Sequence, residues 1–158
     1  MNGSFLVDSN VLIYATLADD RRYPAALQVL ERRRLLGCRM FFSAQNLAEM
    51  YPTLTGPRTQ PTDSPAVART KILSVAALHP CTVLPVTRQV VELALELCER
   101  HGISRQRYFD MQLVATMLLA GIPEIVTENT VDFDGIPSIR AVNPFTEGPP
   151  SVFNDAGP

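Results

Sequence analysis

Phe5-Leu6-Val7-Asp8-Ser9-Asn10-Val11-Leu12-Ile13-Tyr14 is the stretch whose reading decides the fold. An unbroken apolar run ends at a carboxylate, and a second apolar run follows after two small polar residues. A short continuous run of this kind predicts a strand buried on both faces. Residues 10–17 read as the start of a helix, with Ser9 or Asn10 placed to cap it.

The same strand-then-helix unit recurs down the chain. A helix is expected after Pro24, with Ala26, Leu27, Leu30 and Leu35 near helical spacing and Gly37 as its stop. Residues 39–42 predict a strand. Ser43 then caps a helix with a stripe of Leu47, Met50, Tyr51 and Leu54. The Pro/Thr/Ser-rich residues 55–65 predict a loop long enough to be mobile, with no assigned role. Beyond it come a helix over 66–78, a strand over 82–84, and a helix capped by Thr87. That helix is expected to turn Val91, Ala94, Leu95 and Cys98 inward and to stop at His101-Gly102. Residues 105–120 read as helix, and 125–126 and 139–142 as strands. Alternation of this kind predicts an α/β fold with a short parallel sheet covered on both faces. The expected organisation is a single domain over 1–147 and a flexible tail over 148–158.

Composition narrows the classes further. The 158 residues are 46% hydrophobic, with mean hydropathy +0.07, as expected of a soluble globular chain. No apolar stretch approaches the roughly 20 residues that span a bilayer, and no secretory pattern precedes Phe5. Cys38, Cys81 and Cys98 are odd in number and widely spaced, which argues against a disulfide framework and predicts a cytoplasmic protein. His79 with Cys81, and Cys98 with His101, lack the pattern of a zinc site. The net charge of −2 excludes a globally basic polyanion binder. A local basic patch at Arg32, Arg33, Arg34 and Arg39 is conceivable, set against an ordinary solvated helix end.

Four carboxylates carry the functional reading. Asp8 directly follows the first strand, Glu49 lies a few residues past the second, and Thr127 follows the fourth. Sites in such sheets gather beyond the carboxyl ends of the strands. Asp110 shares a helical face with Leu113, Val114, Met117 and Leu118 in a helix that is apolar all round, so its charge needs a partner. Asp132 lies in Thr127-Glu128-Asn129-Thr130-Val131-Asp132-Phe133, just after a strand. Each acid alone has a plainer reading: a turn for Asp8, a solvated helix face for Glu49, a polar loop for the last segment. Together they imply a divalent cation, because like charges a few ångströms apart disfavour one another and an ion reverses that penalty. Oxygen ligands favour Mg2+ or Mn2+. No GxSxG, P-loop or GxGxxG supports a rival chemistry.

These segments resemble the PIN-domain ribonucleases, specifically toxins of the VapC type. Asp8-Ser9-Asn10-Val11-Leu12 is similar to the family's opening D-[ST]-N-x-L motif. Gln45-Asn46-Leu47-Ala48-Glu49 resembles the segment of its second acid, and Tyr108-Phe109-Asp110-Met111 that of its third. Residues 127–133 with Val142-Asn143-Pro144-Phe145 resemble the closing T-x-N-x-x-D-F and N-P stretches. The resemblance covers residues 5 to about 145. It implies a three-layer α/β/α fold and a Mg2+- or Mn2+-dependent endoribonuclease acting on RNA. It also implies a cognate antitoxin whose tail plugs the acidic groove, and commonly a homodimer. By position, Asp8, Glu49 and Asp110 would hold the metal. Ser9 and Asn10 would orient the first carboxylate, and Thr127 would bond a water or a phosphate oxygen. For the fourth role, either Asp132 serves or Asn129 contributes a neutral oxygen. The competing expectations are an RNA-binding module without turnover and a metal-dependent phosphatase of small esters. The latter is disfavoured because the opening motif lacks the second aspartate of a DxD pair.

Overall fold

Parallel strands β1 (Ser4–Val7), β2 (Arg39–Ser43), β3 (Cys81–Leu84), β4 (Glu124–Val126) and β5 (Arg140–Val142) form one sheet in the order β3-β2-β1-β4-β5. The computed structural model describes residues 3–78 and 80–146, apart from the side chains of 32–34. The arginine patch at 32–34, His79 and the tail from Gly148 therefore fall outside the described residues. β1 is central: Leu6 aligns with Phe41 on one side and Ile125 on the other. It is buried across Phe5, Leu6 and Val7, which is why its sequence is continuously apolar rather than alternating.

The pleat sends successive side chains to opposite faces. Phe5, Val7, Met40, Phe42 and Val126 face one layer, made by α1 (Ser9–Tyr14), α2 (Tyr23–Leu35), α3 (Ala44–Leu54) and α4 (Pro65–Ala76). Leu6 and Ile125 face the other, made by α5 (Arg88–His101) and α6 (Tyr108–Ala120). The expected three-layer α/β/α architecture is the one observed. Three free cysteines, Cys38, Cys81 and Cys98, are present. No helix of the described residues is long and apolar enough to cross a membrane.

Local differences from expectation have identifiable causes. α1 is shorter than 10–17, and its N-cap is Asp8, whose carboxylate accepts from the Ser9 N–H, rather than Ser9 or Asn10. Ser43 caps α3 as expected, with Asn46 closing the reciprocal bond. Of the α3 stripe, Met50 and Leu54 are fully buried but Tyr51 is exposed. α5 buries Val90, Ala94 and Leu97, and leaves Leu95 at 57% exposure. Apolar residues on several sides of that helix permit two readings offset by about one position, and packing on the sheet selects one. Gly102, at φ +63, ends α5 in the left-handed conformation that glycine adopts without a steric penalty. Residues 105–120 divide into a 3-10 turn over Arg105–Arg107 and α6, so Asp110 lies in the first turn of its α-helix.

Loop 55–64 is tied down rather than free. Thr59 is buried and gives its hydroxyl to the Thr53 carbonyl at 2.8 Å, and the Asp63 N–H bonds the Leu54 carbonyl. Asp63 also pairs with Lys71 of α4 at 2.7 Å.

Candidate active site

The strand order reverses at β1, whose neighbours β2 and β4 are reached by the chain in opposite directions across the sheet. A crevice opens beyond the carboxyl ends of strands at such a point. Asp8 leaves β1 there, Thr127 leaves β4, and the Asp8 N–H bonds the Val126 carbonyl across the gap at 3.0 Å.

Asp8 is nearly buried and surrounded by neutral donors. Its Oδ1 accepts from the Ser9 N–H (2.7 Å) and from Asn46 Nδ2 (3.3 Å). Its Oδ2 accepts from Thr127 Oγ1 (2.7 Å) and Asn10 Nδ2 (3.1 Å). Burial raises the Asp8 pKa above the usual carboxylate range, and the nearby Glu49 charge adds to the rise; the bonds from Thr127 and Ser9 oppose it. Thr127 thus spends its hydroxyl proton on Asp8. It is further engaged as acceptor from Asn10 Nδ2 and the Asn129 N–H.

Glu49 stands opposite on α3. Ser9 Oγ donates to its Oε2 at 2.9 Å, so one residue orients two acids. Gln45, one helical turn back, donates to Oε1 at 2.8 Å and to the Phe109 carbonyl at 2.9 Å. Its own carbonyl accepts from Gln112 Nε2 at 2.7 Å, and Gln112 in turn accepts from the Tyr108 hydroxyl. This chain of amides runs from α6 to Glu49, with both glutamines buried.

Asp110 differs from the other two. Among the described residues its carboxylate accepts no hydrogen bond, and its ion-pair neighbour is Arg107 at 4.0 Å. Burial, then the charges of Asp132 and Asp8, raise its pKa to about 6. Asp110 therefore does not act as a helix cap, and Arg107 offsets its charge only in part.

Asp8, Ser9, Asn10, Glu49, Asp110 and Asn129 all line one cleft of about 360 Å³. Asp132 is not among its lining residues; it sits in the 3-10 turn over Thr130–Phe133, close enough for its charge to act on Asp110. Glu128 also lines the cleft, and Tyr14 (2.6 Å) and Arg22 (3.0 Å) hold it. Arg22 stacks on Tyr14 at 3.7 Å and pairs with Asp20, closing that rim. The Tyr14 phenol is pushed up to about 12, chiefly by burial and by its bond to Glu128.

The donor set suits a hard divalent cation, being oxygen throughout with a carboxylate offset only in part. Among the described residues no three acidic, His or Cys groups stand close enough to share an ion as placed. The fit therefore rests on donor chemistry and charge.

Sequence reasoning quoted Gln45, Asn46 and Tyr14 without assigning them roles, and did not single out Arg22 or Gln112. Gln45 lies four residues before Glu49, and Gln112 is a lone amide in an apolar helix. Those spacings were the available signals.

The chain belongs to the PIN domain family, whose model matches residues 5–137. No curated protein matches it. It is similar in fold to a chain of a toxin–antitoxin complex from Klebsiella pneumoniae (24% identity, TM-score 0.58, 89% of this chain and 97% of that one). It is also similar to VapC20 of Mycobacterium tuberculosis, described as a sarcin-ricin-loop-cleaving toxin (20% identity, TM-score 0.58, 77% and 86%). A third similar structure is FitAcB from Neisseria gonorrhoeae (18% identity, TM-score 0.62, 89% and 97%).

Proposed function

We propose that this chain is a Mg2+- or Mn2+-dependent endoribonuclease that hydrolyses RNA phosphodiester bonds, acting as the toxin of a toxin–antitoxin pair. The observation that carries the reading is the meeting of Asp8, Glu49 and Asp110 on one cleft at the reversal point of a PIN sheet. In this reading those three carboxylates hold the ion. A bound divalent ion makes its water more acidic and offsets charge growing on the phosphate. The protein's own part is orientation: Ser9, Asn10, Asn46 and Thr127 fix Asp8, while Ser9 and Gln45 fix Glu49. Asn129 is favoured over Asp132 for the fourth position because it lines the cleft.

An antitoxin partner and a homodimer belong to the same proposal. The Klebsiella pneumoniae structure, named as a toxin–antitoxin complex, supports the partner. The test is cleavage of an RNA pool by purified protein in Mn2+, in EDTA, and by Asp8→Asn, with circular dichroism confirming the fold. Cleavage in Mn2+ alone by the wild type is expected. Undiminished cleavage by a folded Asp8→Asn protein would overturn the assignment.

A further inference from the structure

The Pro/Thr/Ser-rich loop between α3 and α4 brings a cation to the acidic cleft. Arg58 lines the same cleft as Asp8, Glu49 and Asp110. Arg22 is the other described arginine on that wall, and Asp20 and Glu128 both pair with it. Arg58 is exposed and has no ion pair or hydrogen bond to its guanidinium among the described residues. A cation left unpaired on the wall of an acidic cleft is kept there by its backbone, and the backbone here is well anchored.

Four contacts do that work. Gly56 packs so closely on α3 that a Cβ added there would meet the Pro52 carbonyl oxygen at 2.5 Å. Thr59, the residue after Arg58, is 4% exposed and bonds the Thr53 carbonyl. The Asp63 N–H returns the chain to Leu54, and the Lys71 pair fixes the far end. Arg58 is thus an exposed residue on a pinned turn at the wall of the cleft.

We infer that Arg58 is a phosphate anchor for the RNA strand, an inference that rests on the proposed nuclease function. The cleft is lined by five carboxylates, Asp8, Asp20, Glu49, Asp110 and Glu128, against Arg22 and Arg58. Even with one divalent ion bound it would keep a negative charge that repels a polyanion, and Arg58 reduces that repulsion. A guanidinium offers paired N–H donors that match two phosphate oxygens, which an ammonium does not.

The test compares wild type, Arg58→Ala, Arg58→Lys and the remote Arg88→Ala, an exposed arginine paired with Glu92 on α5. Affinity for a fluorescein-labelled single-stranded RNA of mixed sequence is read by anisotropy across a salt series. It is measured in EDTA and again in an Asp8→Asn background with Mg2+. Arg58→Ala should weaken binding on the order of tenfold and flatten the log–log salt slope by about 0.7, the release for one single-strand phosphate. Arg58→Lys should recover the slope but only part of the affinity, and Arg88→Ala should leave both unchanged. In turnover, Arg58→Ala should raise KM with kcat within about twofold. If the wild type cuts RNA and Arg58→Ala stays on its salt line, or Arg88→Ala shifts it equally, the anchor is overturned alone. Tighter Mn2+ binding by Arg58→Ala with unchanged KM overturns it too, since Arg58 would then be a counter-ion. A wild type that neither binds nor cuts RNA overturns both this inference and the proposed function.

Discussion

Thr127 Oγ1 donates a 2.7 Å hydrogen bond to Asp8 Oδ2, joining residues 119 positions apart at the ends of adjacent strands β4 and β1. That bond is a main force holding the Asp8 pKa down against burial. Thr127→Val keeps the shape and removes the hydroxyl, leaving Asp8, Asn10 and the Asn129 N–H each short of a partner. A loss of about 2 kcal/mol is expected in urea unfolding. The acid limb of the pH–rate profile should also move to higher pH, because Asp8 then ionises less readily.

Asp110 predicts a trade between stability and activity. Its folded pKa of about 6 exceeds its ordinary 3.8, so the folded state favours the protonated form. The stability from that preference is complete below about pH 4 and is lost as pH rises through about 6. The shift corresponds to about 3 kcal/mol, which partial exposure of the side chain reduces to about 1–2 kcal/mol. Asp110→Asn should therefore be more stable than wild type at pH 7.5 by about 1–2 kcal/mol, with the difference closing near pH 4. Its RNA cleavage should be abolished. Urea unfolding at the two pH values, paired with a cleavage assay, checks both.

Divalent ions should reverse the same penalty. Mg2+ or Mn2+ at about a hundredfold above its dissociation constant should stabilise the wild type by about 2.7 kcal/mol, seen as a rise in Tm. Asp8→Asn and Asp110→Asn should each lose most of that rise. An equal rise in both variants would show that the ion binds elsewhere.

The amide chain from Tyr108 through Gln112 and Gln45 predicts a positioning effect on Glu49. Gln112→Leu leaves the Gln45 carbonyl without its donor, so Gln45 is free to rotate away from Glu49. Mn2+ affinity and kcat should fall about 10-fold or more, with KM within twofold. Isothermal titration with Mn2+ and steady-state kinetics separate this from simple destabilisation, which would lower neither in the folded fraction.

Several elements were legible in the chain because they depend on local chemistry. Ser43 and Thr87 cap α3 and α5 through bonds to N–H groups two or three residues away, and such spacing is written in the sequence. The unbroken run Phe5-Leu6-Val7 marked a central strand because both faces of β1 are covered. The turn of α5 was not legible, since Val91 and Leu95 are as apolar as Val90 and Leu97, and only the docked sheet distinguishes them.

Sequence by itself determined the order of strands and helices and the residues that leave the strand ends, because caps, runs and spacings act within a few residues. It also placed Asp8, Glu49 and Asp110 as acids in apolar surroundings. Tertiary structure alone decided which of them share a cleft, that Thr127 serves Asp8, that two buried glutamines reach Glu49, and that Arg58 stands on the wall of the cleft that the acids line. Those relationships join segments tens of residues apart, and such distances close only when the sheet orders its strands and the helices pack against it.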